Sequence, residues 1–499
     1  VHYCSYEFSP ADFSENLGAN EVRAAEFFTC LLKIWRTFSL APHLPLLNDG
    51  DGGSMQRRQV VIGGLLAAGS AGLGTLALTM RTRQKEDAVV SIIGEDSSNL
   101  QAIARYLADS QLAVGTRSTV EATNFTTASA KAMTAFTQGS GLYDVVLGYN
   151  FDLPRYAENH YVFDVGESKS VARENQSFDF EADLLPNVWK ELGYYGSAGG
   201  VDADDSRPVA YPFSANTMVL VYSKEVFSDP RVVQAYRTHF GRDFAPPRTW
   251  QEFADTAKLV AEANKAFKGV VLQGADGGWL YYEWMNFLFG MGGKVMEKKY
   301  GWQSTIQTPL TLRTIEAARA ADLYLSLKSA SAGDFFFNDA VRQRDLMLEH
   351  KAAFAIMWTD YIPDLAKAGG FGFAPIPGDR SMIAGGSFFI NRKTDVPSAC
   401  VDLISHLLSK PVQKKLALDG LFPPTRSALS DPEVLAKPYM PAVRQSLERG
   451  VYMLEAGLDA TLISEKITQA LQEAWRGEIP SEAVGSRATE LIEARRAVG

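Results

Sequence analysis

The chain has 499 residues, 46% of them hydrophobic and 21% charged, with a formal charge of -9 at pH 7. That length suits two lobes plus an N-terminal extension, and the composition is ordinary for a soluble globular protein. An acidic balance with no large basic patch argues against nucleic acid as a partner. Cysteines at 4, 30 and 400 leave the folded body without an internal disulfide, and the scattered histidines lack metal-ligand spacing, so neither a metal nor a cofactor is expected.

Residues 1–54 have weak periodicity and end in a polar, glycine-rich stretch. Met55 reads as a natural start, which makes 1–54 a non-native or disordered extension. Residues 55–84 then read as an export signal or membrane anchor: Arg57 and Arg58 precede an uncharged run from Val60 to Met80. The paired arginines resemble the twin-arginine type of signal. Gly69, Gly72 and Gly74 in this run follow no strand and are not a dinucleotide loop.

The folded body starts near Ala88. Val89 to Ile93 is a strand of buried type, and Ser97 or Ser98 caps a helix with Leu100, Ile103, Ala104 and Leu107 on one face. A second strand is expected around Val114–Glu121, a helix through Ala128–Phe136 and a third strand over Tyr143–Gly148. Strand, helix, strand, helix, strand predicts a parallel sheet, with ligands at the carboxyl ends of its strands. That places Glu95 and the stretch from Asn150 to Asp152 at a cleft rim.

From Pro208 the devices come close together. Met218–Tyr222 is a β-branched and aromatic run, Pro246 and Pro247 stop what precedes them, and Thr249 and Glu252 are spaced as a capping box. Phe253, Ala257, Val260 and Ala261 continue at helical spacing. A strand at Val270–Leu272 leads through a glycine-rich turn into an aromatic helix. There Leu280, Trp284, Phe287 and Leu288 share a core face, while Trp279 stands at the entry, where a flat ring can stack on a sugar. Ala353–Met357 is a strand delivering Trp358 and Asp360, an aromatic and a carboxylate two residues apart. Gly385 and Gly386 precede Ser387 on a further strand and leave room for close approach to the backbone. The remainder is helical, with a turn at Gly420 to Arg426 and Cys400 on an apolar helix face.

In this order, Tyr143-Asp-Val-Val, Tyr211 to Trp250, Gly274 to Gly293, Ala352 to Trp358, Gly385-Gly386 and Pro423 to Arg426 resemble the extracellular solute-binding proteins of ABC importers. The resemblance is to the family that includes maltose- and other sugar-binding proteins, and it spans roughly 88–499. It implies an α/β periplasmic-binding-protein-like fold of type II, with two lobes, each a central sheet flanked by helices, joined by hinge crossings. Lobe one is expected at 88–213 plus 353–388, and lobe two at 214–352 plus 389–499. The implied function is capture of a mono- to oligosaccharide between the lobes by a monomer outside the cytoplasmic membrane, with delivery to permease subunits. The implied ligand residues are Glu95, Asp152, Tyr211, Asn216, Trp279, Trp358, Asp360, Gly386, Ser387 and Arg426. An enzyme would need a carboxylate pair across the cleft; Asp360 and Glu283 could be offered, but no motif supports them. The same fold could also serve a membrane-tethered sensor, or take a ligand of the glycerol-phosphate type.

Overall fold

The computed structural model describes residues 88–109, 117–196, 205–296, 308–452 and 459–497. The extension at 1–54 and the signal or anchor at 55–84 lie outside the described residues. Among the described residues, no helix is long and apolar enough to cross a membrane.

Two sheets organise these residues. The first contains β1 (Val89–Glu95), β2 (Arg117–Thr123), β3 (Val145–Tyr149), β4 (Tyr211–Pro212) and a later strand, Gly386–Ile390. Its order is β2, β1, β3, Gly386–Ile390, β4. β1 runs parallel to β2 and β3, whereas Gly386–Ile390 is antiparallel to β3 and β4. The helices α1 (Ser98–Asp109) and α2 (Phe125–Thr137) are the crossovers that parallel pairing requires. Ser97 Oγ accepts the Leu100 N–H at the start of α1, and Asn124 does the same for Thr127 at α2. The apolar periodicity of α1 buries Leu100, Ala102 and Ile103 against β1.

The second sheet is built from β5 (Met218–Ser223), β6 (Lys268–Val270), β7 (Ala352–Trp358) and β8 (Phe371–Pro375), in the order β8, β5, β7, β6. β7 is buried along its whole length, as a central strand must be when both faces are covered. On one face lies a core of Phe253, Trp284, Phe287 and Tyr324, contributed by α3 (Trp250–Ala263), α4 (Trp279–Gly290) and α5 (Ile315–Leu325). α4 is buried nearly all round and not on one face alone. The Thr249–Glu252 pair forms half of the expected box. Thr249 Oγ accepts the Glu252 N–H, but the Glu252 carboxylate turns to the Arg248 N–H and the Tyr236 hydroxyl.

The division between lobes differs from the expectation at 353–388 and after 389. Residues 353–375 are expected in lobe one, yet β7 and β8 pair with β5 in the second sheet, and the chain re-enters the first sheet only at Gly386. The helix Pro397–Leu407 is expected in lobe two, but Cys400, Leu403 and Ile404 pack in the core of the first sheet. From Phe422 on the chain does pack with the second lobe: Met440–Glu448 covers one face of its sheet, and Ala460–Arg476 and Val484–Arg496 join the core on the other.

Three crossings lie side by side. Asn216 and Ala384 form an antiparallel bridge with N–H to O distances of 2.7 and 2.8 Å. The Ala215 N–H reaches the Phe422 carbonyl at 2.9 Å, where Leu421 packs with the first lobe's core and Phe422 with the second's.

Candidate functional site

β1 and β3 end side by side, and α1 begins just beyond β1 with Ser98 and Asn99. β7 ends beside β5, so the carboxyl end of the second sheet presents Trp358 and then Asp360. The two sets meet at the Asp360 carboxyl. Asn99 Nδ2 donates to Oδ1 at 3.1 Å, Ser98 Oγ donates to the same oxygen at 3.4 Å, and Asn216 Nδ2 donates to Oδ2 at 2.5 Å. Asn99, 2% exposed, also donates to Asn216 Oδ1 at 3.3 Å and accepts the Phe422 N–H at 3.0 Å. One amide thus ties α1, two crossings and the end of β7.

Glu95 ends β1, and its carboxylate accepts the Tyr149 hydroxyl at the end of β3. Burial and then the neighbouring Glu95 charge push the Asp360 carboxyl up to about 7, against the pull of its three donors. Tyr149 carries an aromatic group with it. Its ring stacks on Phe151 with centroids 5.7 Å apart, and Phe125 meets both edge-on. Asp152 lines a narrow hollow with Glu95, Phe125, Tyr149 and Tyr156, and burial raises its carboxyl to about 6. On the second lobe, Trp358 is edge-on to Tyr282 at 5.9 Å, and Trp279 is half-buried at the first turn of the same helix. Gly278, at φ 93°, makes the left-handed turn into that helix, a conformation glycine adopts without strain.

Of the residues expected at the site, the structure brings together Glu95, Asn216, Trp358 and Asp360, with Asp152 beside Glu95 and Trp279 on the helix that carries Tyr282. Tyr211 is elsewhere: it is buried in the first lobe's core, its ring on Trp189 and its hydroxyl on Glu181. Ser387 is fully buried and donates to the Leu192 carbonyl at 2.7 Å. At Gly386 the space a Cβ would need is filled by the Phe213 ring, and at Gly385 by the Ser214 carbonyl, so the glycine pair admits the chain's own hinge. Arg426 is exposed on the first residue of a short helix and takes no part in the Asp360 group. Residues not foreseen are Ser98, Asn99, Phe125, Tyr149 and Tyr282, whereas Phe151 lies in the stretch expected at the rim. Ser98 alone carries a signal in sequence, as a possible cap.

Glu283, the candidate acid partner for Asp360, is sealed in the second lobe. It accepts from the Gln273 N–H at 2.7 Å and Gln343 Nε2 at 2.9 Å, lies 2.8 Å from the Tyr324 hydroxyl, and is fully buried. Among the described residues, no group of side chains could hold a metal ion.

Residues 101–442 match the family described as bacterial extracellular solute-binding protein. The chain belongs to this family. Its members bind solutes for ABC transporters outside the cytoplasm and are not enzymes. No curated protein matches the sequence. Among solved structures, the chain is similar to a solute-binding protein of Agrobacterium radiobacter K84 in complex with ribitol. The match has 20% identity and a TM-score of 0.64, over 82% of this chain and 99% of that one. It is similar also to maltose-bound MalE3 of T. maritima, at 19% identity and TM-score 0.63 over 82% and 100% of the two chains. A third is the sugar-binding protein MalE of Xanthomonas citri, at 18% and 0.64 over 82% and 99%. These likenesses show the two-lobe α/β fold of periplasmic binding proteins.

Proposed function

We propose that this solute-binding protein captures a carbohydrate or polyol between its lobes and hands it to a membrane permease. The observation that carries the reading is the pairing of ring faces with hydrogen-bonding side chains at the carboxyl ends of both sheets. Tyr149, Phe151 and Phe125 stand on one side, Trp358, Tyr282 and Trp279 on the other, and Asn99, Asn216 and Asp360 between. Aromatic faces cover the C–H faces of a sugar ring, and amides and carboxylates bind its hydroxyls. A ligand touching both lobes favours the state in which both contacts exist, so binding shifts the population towards closure. We assign the ligand-contacting roles to Trp279, Trp358, Asn216 and Asp360, with Glu95 and Asp152 at the rim. Tyr211, Gly386 and Ser387 shape the hinge and core behind them. Export through the Arg57-Arg58 segment and action as a monomer complete the proposal.

The test is a thermal-shift screen of the protein against maltose, ribitol, mannitol and longer oligosaccharides, with glycerol phosphates and amino acids as controls. A ligand at 100 times its Kd adds about 2.7 kcal/mol of stability. A shift with a sugar or polyol that Trp279→Ala removes supports the reading. A shift with only a phosphate or amino acid refutes it and leaves the family assignment standing.

A further inference from the structure

The Asp360 group draws its donors from both sides of the cleft. Two of them, Ser98 and Asn99, belong to the first lobe, whereas Asp360 lies in the turn that follows a strand of the second. The carboxyl thus joins the lobes through the protein's own groups. The first lobe also brings a second carboxylate, Glu95, close enough for its charge to act on Asp360. The charged and titratable groups around Asp360 are Glu95 at the end of β1, Tyr149 at the end of β3 and Tyr361 next in sequence. Asp339 and Arg344, from the helix Ala340–Leu348 and its cap, act on Tyr361 from behind.

We propose that Asp360, held between Ser98 and Asn99 and opposed by Glu95, is a proton-operated latch between the lobes. With a proton on it, the carboxyl keeps its amide donors, turns its O–H on the Ser98 oxygen and no longer repels Glu95. Without the proton, it gains stronger hydrogen bonds but carries a half-buried charge beside another of the same sign. The balance follows from the direction in which the group is perturbed. Burial and Glu95 raise it above the ordinary carboxylate value despite three donors, so the joined arrangement holds the proton more tightly than an opened, hydrated one. The joined state is therefore favoured at low pH and loses that advantage as pH rises towards about 7. Over that interval the ratio of open to joined protein grows up to about tenfold per pH unit. Asp360 is on this view a positioning residue for the cleft as well as a lining one. The latch depends on the two-lobe fold and is independent of the solute's identity.

The experiment is a distance measurement between labels on the two lobes from pH 5 to 9, without solute. Leu142→Cys and Ile315→Cys are exposed positions on the first and second lobes, introduced with Cys4→Ser and Cys30→Ser; Cys400 is buried. The expected result is a lobe separation that increases with pH and approaches its limit near 7. In Asp360→Asn, neutral throughout, the distance should not change with pH. Glu95→Gln, lacking the opposing charge, should open less at pH 8 than the parent. A parent distance constant from pH 5 to 9 overturns the latch, as does an Asp360→Asn profile matching the parent's. Should Asp360→Asn fail to fold, Glu95→Gln decides: a profile equal to the parent's overturns it.

Discussion

Glu283 allows a sharp test of the packing beneath the aromatic helix. Its carboxyl is fully buried, and burial raises it to about 8 against three hydrogen bonds. The geometry agrees. The Tyr324 hydroxyl has one proton but lies 2.7 Å from the Gln273 carbonyl and 2.8 Å from Glu283 Oε2. Both contacts are satisfied when the phenol donates to the carbonyl and accepts from a protonated Glu283. The folded value lies above the unfolded 4.5, so the contribution is fully present below 4.5 and is lost as pH rises towards 8. At about 1.4 kcal/mol per pH unit, the interval corresponds to roughly 5 kcal/mol at most. Glu283→Gln removes the titration but places an amide nitrogen against a donor, either the Gln273 N–H or Gln343 Nε2, at a cost of about 1–3 kcal/mol. Urea melts at pH 5 and pH 9 should therefore cross: the variant is less stable than the parent at pH 5 and more stable at pH 9. A difference of the same size and sign at both pH values would refute the reasoning.

Gly269→Ala should destabilise the second lobe by several kcal/mol in the same melts, because the new Cβ would lie 1.8 Å from the Ala257 carbonyl oxygen on α3 and backbone must move. Ser387→Ala should cost about 1 kcal/mol by calorimetry and leave solute affinity unchanged, since its hydroxyl serves only the Leu192 carbonyl. Cys400 should resist thiol reagents in the native protein and react on unfolding, because burial pushes its thiol up to about 12. Asn99→Ala should loosen the hinge, read as faster amide exchange at Phe422, whose N–H would lose its acceptor.

Much of the fold can be anticipated because its signals are local. The first and third strands of lobe one follow from runs of Val and Ile, and its first helix from a polar cap and 3.6-residue spacing, all in one short stretch of chain. The site draws on contacts that no local pattern contains. Asn99 reads as the second residue of a helix, yet its partners are Asn216, Asp360 and Phe422. Tyr149, Phe151 and Phe125 are separated by a turn and a helix, and only the parallel ladder brings their rings together. The buried run Ala352–Trp358 announces a strand, but which sheet receives it depends on pairing with Met218–Ser223. Ser387 and Gly386 look available in sequence because neither the Leu192 carbonyl nor the Phe213 ring is near them along the chain.

The three crossings are bonded to one another at Asn216–Ala384 and Ala215–Phe422 and are not three independent strings. Segments bonded side by side bend together more readily than they slide past one another, because sliding must break the bonds between them. If the solute is captured as proposed, the lobes would swing about a single axis, like a door on a leaf spring. Every closing stroke would then return the same rings and amides to the same register, and selectivity would be set by the geometry of the stroke as much as by the groups that meet at its end.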